Sequence, residues 1–387
     1  MRIRRSLIAV ASAAAIALAC AATSPAAAVS TRVVGGAPAD IGAMPWMAYL
    51  TATSGTGSWA CGGTVVAPDV VLTAAHCVVD RGRVVRAQAI RLVLGRTDLR
   101  NPGGVVTRSA AIAVDPLYDR HGKDEGGPHD AALVRLAAPL PPEYTPLRLA
   151  TVADAPSYAA GAVARIAGWG LTQAGGSEGS PVLMSADLPI VASATCASED
   201  GISPAEARQM VCAGLEAGGI DTCQGDSGGP LTVVSGSETV VAGIVSWGFE
   251  CASARHPGVY TRVSAVEPWA RALVAGDDAV WERAADNIAP RVRVAAVRGR
   301  AGGIVLFRYA VAGETGPTSE TITIRRARIY RSLRTLRTAA AVNKTSERVA
   351  WRIPRRFAPG RYVWCVVSED ANGNRSTSRC ARLRVAP

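Results

Sequence analysis

The chain has 387 residues, a formal net charge of +11 at pH 7 and a hydrophobic share of 49%. This length exceeds one ordinary domain and suits two or three, and the apolar share allows substantial cores, which argues against a disordered chain. The charge is unevenly divided, because residues 286–387 carry 21 basic and 6 acidic side chains, whereas residues 1–285 sum to −4. The basic total therefore combines an acidic body with a strongly basic C-terminal part.

The N-terminus has the pattern of an export signal. Three arginines occur within the first five residues, residues 7–22 are apolar, and 26–28 are three alanines that suit a cleavage site. The apolar run is short for a membrane span and no stop-transfer pattern follows it. We expect residues 1–28 to be a cleaved signal peptide of a secreted bacterial protein, with no transmembrane segment after its removal. A lipoprotein anchor at Cys20 is the alternative.

The cysteine count changes when this signal is removed. Eight cysteines remain, and an even number in an exported chain predicts disulfides rather than free thiols. No CxxC pair occurs, and the four histidines have no metal-ligand spacing. We therefore expect neither a metal site nor another cofactor.

Residues 33–276 alternate short runs of Val, Ile, Leu and Trp with Gly and Pro turns, as in "GGTVVAPDVVLTAAHC" and "VVAGIVSWG". Long helical periodicity is absent, so the region is predicted to be all-β, a barrel or a sandwich. At its end, Ser264 and Glu267 have the spacing of a capping box before apolar residues, which predicts a short closing helix. Residues 277–289 are polar and are predicted to form a linker.

The stretch "DTCQGDSGGP" contains Ser227, a candidate nucleophile. A serine hydroxyl needs a base that is neutral near pH 7 to take its proton, and that base needs a carboxylate to orient it. "VLTAAHC" supplies His76 directly after an apolar strand, and "HDAALVRL" supplies Asp130 at the entry to another. His129 and His256 are weaker candidates for the base. Each motif taken alone also fits a turn, a core histidine or a loop acid.

In chain order, "VVGG", "TAAHC", "DAALVRL", "GDSGGP" and "SWG…PGVY" resemble the chymotrypsin/trypsin family of serine proteases over residues 33–276. The resemblance implies two six-stranded antiparallel β-barrels with a short C-terminal helix, and serine endopeptidase activity. It implies Ser227 as nucleophile, His76 as general base and acid, and Asp130 as the orienting carboxylate. The N–H groups of Gly225 and Ser227 would form the oxyanion hole. The alternative is a catalytically silent surface adhesin that retains the fold.

The same resemblance implies activation by cleavage. Cutting after Arg32 would free an α-amine at Val33, which would pair with the carboxylate of Asp226 and order the oxyanion hole. The intact chain would then be a zymogen, with residues 29–32 as a short propeptide.

A substrate pocket also follows from the resemblance. Asp221 would lie on its floor and select protein or peptide substrates with Arg or Lys at P1, the residue before the cleaved bond. Glu250 at the rim departs from the commonest family pattern, and the loop after Leu94 lacks the acidic pair that binds calcium in animal trypsins. The expected pocket walls are Ser246, Trp247, Gly248 and Gly258.

The resemblance finally implies three disulfides in residues 33–276. This lean set is typical of bacterial members of the family. The expected pairs are Cys61–Cys77, Cys196–Cys212 and Cys223–Cys251.

Residues 290–387 contain strand-like segments such as "GIVLFRYAVA", which predicts an Ig-like β-sandwich of about 100 residues. Asn372-Gly373 is a strong hairpin signal, and a hairpin centred there places Cys365 opposite Cys380, which predicts a fourth disulfide. The arginine excess has two interpretations, a surface produced by coding bias or a docking module for an anionic cell-envelope polymer or an acidic protein. Nucleic acid is not expected, because the chain is exported and shows no aromatic stacking platform.

Overall fold

A computed structural model describes residues 33–119, 126–285, 290–312, 318–326, 333–338, 347–370, 374–376 and 378–386. Strands are numbered β1–β24 and α-helices α1–α4 along the chain. The expected signal peptide and propeptide, residues 1–32, lie outside the described residues, and so does the Asn372-Gly373 turn. Among the described residues, no helix is long and apolar enough to cross a membrane.

Six strands close into an N-terminal barrel in the order β2-β3-β4-β9-β8-β7. Leu50, Leu72, Leu92 and Leu133 come from four of these strands and are fully buried in the core. Short 3-10 helices at Ile41–Ala43 and Ala87–Ala89 and the small hairpin β5–β6 connect the strands. The strands of this half are β1 (Ala37–Pro38), β2 (Met47–Ser54), β3 (Gly57–Ala67), β4 (Val70–Thr73), β5 (Val79–Asp80), β6 (Arg83–Val84), β7 (Ile90–Leu94), β8 (Val105–Val114) and β9 (Ala132–Leu136).

A second six-stranded barrel follows in the order β12-β11-β14-β15-β16-β13, and pairing of β13 with β12 closes it. The expected two-barrel architecture is confirmed. A 3-10 helix spans Val152–Tyr158, and β1 and β10 add to the sheet beside β12 and β15. The elements are β10 (Arg148–Leu149), β11 (Val163–Gly168), β12 (Met184–Val191), α1 (Ser193–Glu199), α2 (Pro204–Ala207), β13 (Met210–Ala213), β14 (Pro230–Ser235), β15 (Glu238–Trp247), β16 (Gly258–Arg262) and α3 (Val263–Val274).

The predicted closing helix is α3, but the predicted capping box is wrong. The helix begins at Val263, one residue before Ser264, and no side chain caps it. The Ser264 hydroxyl instead bonds the Tyr158 hydroxyl at 2.9 Å, and Glu267 pairs with Arg271 at 2.7 Å. A tertiary hydrogen bond to Tyr158 and an ion pair to Arg271 within the helix therefore use the two side chains that would have formed the box.

The segment expected to be a linker begins with a helix, α4 (Asp278–Ala284). Its N-cap is Asp277, whose carboxylate accepts a backbone N–H of the first turn. Trp281 is only 3% exposed and packs in the same core cluster as the N-terminal barrel, with the Arg135 guanidinium 5.7 Å from its ring centre. Residues 278–284 therefore pack against the barrel, because one large apolar side chain in a polar stretch anchors them.

The C-terminal part forms a β-sandwich. A three-stranded sheet, β17-β19-β22, and a five-stranded sheet, β18-β24-β23-β20-β21, share one core. Phe307 and Trp351 enter this core from the smaller sheet, and Ile324 and Trp364 enter it from the larger one. The strands are β17 (Arg291–Val294), β18 (Val297–Arg300), β19 (Ile304–Ala312), β20 (Thr318–Arg326), β21 (Arg334–Arg337), β22 (Glu347–Arg352), β23 (Gly360–Asp370) and β24 (Arg379–Ala386).

The disulfide predictions are confirmed. Cys365 lies opposite Cys380 in the pairing of β23 with β24, and the two form a disulfide. Nearer the turn the pairing is shifted by one residue, because Glu369 rather than Asp370 bridges Arg375. The other pairs are Cys61–Cys77, Cys196–Cys212 and Cys223–Cys251.

Candidate active site

Strand pairing explains how three distant side chains come together. Antiparallel pairing of β4 with β9 places the end of one strand beside the start of the other, so the His76 loop meets Asp130. Ser227 belongs to the second barrel, just before β14. Its carbonyl oxygen accepts a hydrogen bond from the backbone N–H of Gly62 on β3 at 2.7 Å, which ties the serine loop to the first barrel.

The Asp130 carboxylate is fully buried and well supplied with donors. His76 donates to it twice, from its backbone N–H to Oδ1 at 2.9 Å and from Nδ1 to Oδ2 at 2.8 Å. The Ser246 hydroxyl donates to Oδ2 at 2.6 Å, and the Thr261 hydroxyl donates to the Asp130 carbonyl at 3.1 Å. Because the carboxylate accepts from Nδ1, we assign the proton of neutral His76 to Nδ1. Nε2 is then unprotonated and can act as the base.

His76 and Ser227 lie between two clefts. One, of about 200 Å³, extends to Asp221, and the other, of about 340 Å³, extends past Trp59 and Cys61. The histidine ring is 12% exposed and the serine is half-buried, so both are accessible from the clefts. A peptide that occupies both clefts would present a backbone carbonyl to the pair.

The turn that carries Ser227 depends on glycine. Gly225 has a φ of +96°, in the left-handed region, and a Cβ there would approach the Gly170 Cα to 3.1 Å. Hydrogen bonds from Asp226 N to Cys223 O at 2.9 Å and from Gly229 N to Asp226 O at 2.8 Å hold the turn. Turns of this kind aim successive N–H groups into one concavity, as an anion site requires.

Asp226 is a fully buried carboxyl group. It accepts hydrogen bonds from the backbone N–H groups of Gly170 at 2.7 Å and Cys223 at 3.0 Å. A side chain at Gly168 or Gly170 would overlap its carboxyl, so the site is built closely around it. Burial raises the pKa of Asp226 to about 6, although the two hydrogen bonds oppose this shift. In the part of the chain that the structure describes, no basic side chain pairs with it.

The segment that begins at Val33 lies beside the substrate cleft. Val33 is only 1% exposed and packs in the core of the second barrel. Val34 forms an antiparallel bridge with Asp221, whose N–H donates to the Val34 carbonyl at 3.1 Å. A side chain at Gly35 would overlap the Gly219 carbonyl, so glycine is needed for this close approach. Arg32 lies outside the described residues.

Asp221 is the acidic residue at the base of the cleft. It is 3% exposed and accepts backbone hydrogen bonds from Thr222 at 2.8 Å and Ala252 at 3.1 Å. Burial raises the pKa of its carboxyl group to about 7 against the effect of these bonds. A Cβ at Gly258 would lie 2.6 Å from Oδ1, so the glycine keeps the face of the carboxylate open.

All the expected pocket residues line this cleft together with Asp221. Glu250 is exposed at its rim, as the sequence led us to expect, and the Cys223–Cys251 disulfide joins two of its walls. The lining wall residues are Ser246, Trp247, Gly248 and Gly258.

Sequence reasoning missed three supporting contacts. Ser246 was expected only as a pocket wall, yet it also bonds the Asp130 carboxylate. Phe249, which lies between the cleft residues Gly248 and Glu250 in the chain, stacks on His256 with ring centres 4.5 Å apart. Asp200 accepts a hydrogen bond from His256 Nδ1 at 2.9 Å. Burial raises the pKa of Asp200. No local sequence motif predicts the two hydrogen-bonded pairs, because Asp200 and His256 are 56 residues apart and Ser246 and Asp130 are 116 residues apart.

One described group has the composition of a metal site. Potential ligand atoms of Cys61, His76 and Cys77 lie within 4.8 Å of one another. The two sulfurs are joined in a disulfide, so neither offers the thiolate that metal coordination needs.

The two barrels and a serine beside a buried aspartate–histidine pair define a class, the serine endopeptidases. The trypsin family model matches residues 33–270, and the chain belongs to the trypsin family. It is 40% identical over 258 residues to a trypsin-like protease of Streptomyces glaucescens, across 66% of this chain and 88% of that protein. It is 38% identical to a trypsin of Saccharopolyspora erythraea, across 60% and 94% of the two chains. A trypsin of Simulium vittatum is 36% identical, across 61% and 90%.

Proposed function

We propose that this serine endopeptidase is secreted and cleaves after Arg and Lys. The observation that carries the specificity is the carboxyl group of Asp221, which is nearly buried at the base of a cleft that also reaches Ser227. An unpaired buried carboxylate is costly, and a substrate guanidinium or ammonium would compensate it. Gly258 supports this assignment because it leaves the carboxylate open to a ligand.

The proposed chemistry uses three side chains. The Ser227 oxygen attacks the scissile carbonyl while His76 Nε2 takes the hydroxyl proton, and Asp130 stabilises the imidazolium through Nδ1. The negative oxygen of the tetrahedral intermediate accepts hydrogen bonds from the N–H groups of Gly225 and Ser227. His76 then protonates the leaving amine, which gives an acyl-enzyme. Water, deprotonated by the same histidine, hydrolyses the ester and restores Ser227.

The chain is made as a zymogen in this proposal. Cleavage after Arg32 frees an α-amine at Val33, and that amine supplies the cation that the buried Asp226 carboxylate needs. Two observations support this pairing: Val33 is buried in the second barrel, and the next residue bridges to Asp221. The peptide bond after Arg32 has Arg at P1, as the proposed pocket requires. The active enzyme would therefore cleave and activate further copies of its own zymogen.

Secretion is supported by the four disulfides, which form and persist in oxidising compartments. The N-terminal pattern of basic and then apolar residues agrees with export.

Labelling and a substrate panel test this function together. A fluorosulfonyl reagent should modify the processed protein at Ser227 in a 1:1 ratio and abolish hydrolysis. Peptides that differ only at P1 should then be cleaved when P1 is Arg or Lys and far more slowly when it is Phe. A protein that is not labelled would be the silent adhesin. If the protein is labelled but prefers Phe at P1, it is a serine peptidase, and the proposed role of Asp221 in binding Arg or Lys is wrong.

A further inference from the structure

The outer face of the five-stranded sheet carries a straight row of arginines. On β24, the buried Leu383 lies between the exposed Arg382 and Arg384, so the two arginines point away from the core. Arg384 lies directly opposite Arg361 of β23 on one side and Arg298 of β18 on the other, and both are exposed. Since neighbouring strands are about 4.8 Å apart, the three residues line up across about 10 Å of sheet. We call Arg298, Arg361 and Arg384 the arginine row.

The row has an unfavourable charge arrangement in the free protein. Like charges directly opposite each other destabilise a sheet, and the row contains two such pairs. Within the described residues, none of the three arginines forms an ion pair. The adjacent position on the same face is Arg382, opposite Val363, so no acid relieves the repulsion there. A bound anion would relieve it.

The other sheet of the sandwich shows that this arrangement is not general to the domain. On its outer face Arg308 lies opposite Arg348, but the next outward pairs are Leu306 with Ala350 and Ile304 with Arg352. Leu306 is 40% exposed and Ile304 is 58% exposed, so apolar side chains interrupt the charge. Among the described strands of the smaller sheet, no row of three arginines occurs.

The geometry selects a class of ligand. A guanidinium binds a carboxylate or phosphate through two parallel hydrogen bonds, and a straight row of three suits a linear polymer with regularly repeated charges. Single-stranded nucleic acid binding needs exposed aromatic rings for base stacking. The described aromatic side chains of this sandwich contribute to its core instead: Phe307, Tyr309, Trp351, Phe357, Tyr362 and Trp364.

We propose that the arginine row, flanked by Arg382, binds a linear anionic polysaccharide that carries carboxylates on successive sugars. Binding places guanidinium groups and carboxylates alternately along the row, which removes the repulsion among the arginines. The enzyme is thereby held on a polysaccharide-bearing surface, and its catalytic cleft takes no part in the contact.

Immobilised polygalacturonate tests this site with the full-length processed protein, blocked at Ser227 by a fluorosulfonyl reagent. The row variant R298Q/R361Q/R384Q should bind about 100-fold more weakly than the unmutated protein, since each arginine near an anionic surface contributes about fivefold. The matched control R293Q/R308Q/R348Q removes the same charge from the other sheet and should bind within about fivefold of the unmutated protein. Binding by the unmutated protein should weaken steeply as salt rises.

Several results would overturn the proposal. Equal weakening in both triple variants would show that net charge alone attracts the polymer, and unchanged binding by the row variant would exclude the row. Tighter binding of single-stranded DNA than of polygalacturonate would exclude a polysaccharide ligand. Before blocking, both variants should hydrolyse a small peptide normally, and the row variant should melt at a temperature no lower than that of the unmutated protein, because it lacks the opposed like charges. If the row variant fails to fold, R384Q alone should weaken binding about fivefold, and no change would refute the site.

Discussion

Replacement of Asp221 by serine is the sharpest test of the specificity pocket. Asp221 is 3% exposed and its oxygens face a glycine, so a bound P1 guanidinium loses its water and gains the carboxylate as its charge partner. In D221S the same guanidinium would be buried without a counter-charge, at a cost of about 3–5 kcal/mol. This cost corresponds to a loss of about 10²–10⁴ in kcat/KM for Arg substrates. A neutral Phe at P1 loses no partner, so its kcat/KM should change little.

The assay compares kcat/KM for peptides that are identical except for Arg or Phe at P1. Active-site titration at Ser227 gives the concentration of competent enzyme, so a misfolded fraction cannot be mistaken for lost specificity. Thr222 and Ala252 donate to the carboxylate through backbone N–H groups, and the serine hydroxyl can replace only part of this bonding. An unchanged Arg-over-Phe ratio in fully titratable D221S would refute the reasoning.

Three further predictions concern activation, pH and the packing of α4. R32Q should fold and remain nearly inactive, because no α-amine forms at Val33; hydrolysis as fast as that of the processed enzyme would rule out the switch. The kcat/KM ratio of an Arg peptide over a neutral citrulline peptide should fall as pH drops through the pKa of Asp221, because burial raises that pKa, to about 7 in the uncleaved chain, and protonation removes the charge that binds Arg. Any effect of pH that is common to the two peptides cancels in this ratio, so a flat ratio from pH 5 to 8 would contradict the assignment. W281A should lower the free energy of unfolding of the barrel region by about 3–5 kcal/mol, measured in urea, whereas a chain ending at Ala285 should match the parent.

The two barrels and the catalytic residues were anticipated because five short motifs together resemble the chymotrypsin/trypsin family, and these motifs also impose local geometry at the site. "GDSGGP" contains Gly225, whose left-handed φ turns the backbone at the serine, and "TAAHC" places a disulfide cysteine next to His76. Strand alternation in the C-terminal region gave the sandwich, and one turn signal gave the register of Cys365 with Cys380. In each case the residues that form the sequence signal lie within a few positions of the structural feature that they predict.

The features that sequence did not reveal depend on contacts between distant segments. Composition alone made the stretch around Trp281 look like a linker, since its burial depends on a barrel surface provided by strands far earlier in the chain. Ser264 was expected to cap α3, but the Tyr158 hydroxyl, 106 residues away, competes for it. Local propensity is a weak guide wherever a tertiary partner offers the same side chain a better bond.

The two buried carboxylates of the serine loop are electrostatically linked, and this link connects activation with specificity. The charge of Asp226 adds to the rise in the pKa of Asp221, although burial is the main cause. When the new Val33 amine neutralises Asp226, that contribution disappears, so the pKa of Asp221 should fall on activation. The midpoint of the Arg-over-citrulline ratio in the processed enzyme should therefore lie below about 7 and move no further when salt is added, because both carboxylates are buried. In the proposed activation, cleavage after Arg32 would order the oxyanion hole and would also keep the pocket ionised at neutral pH, so one new positive charge would serve both the chemistry and the recognition of the substrate cation.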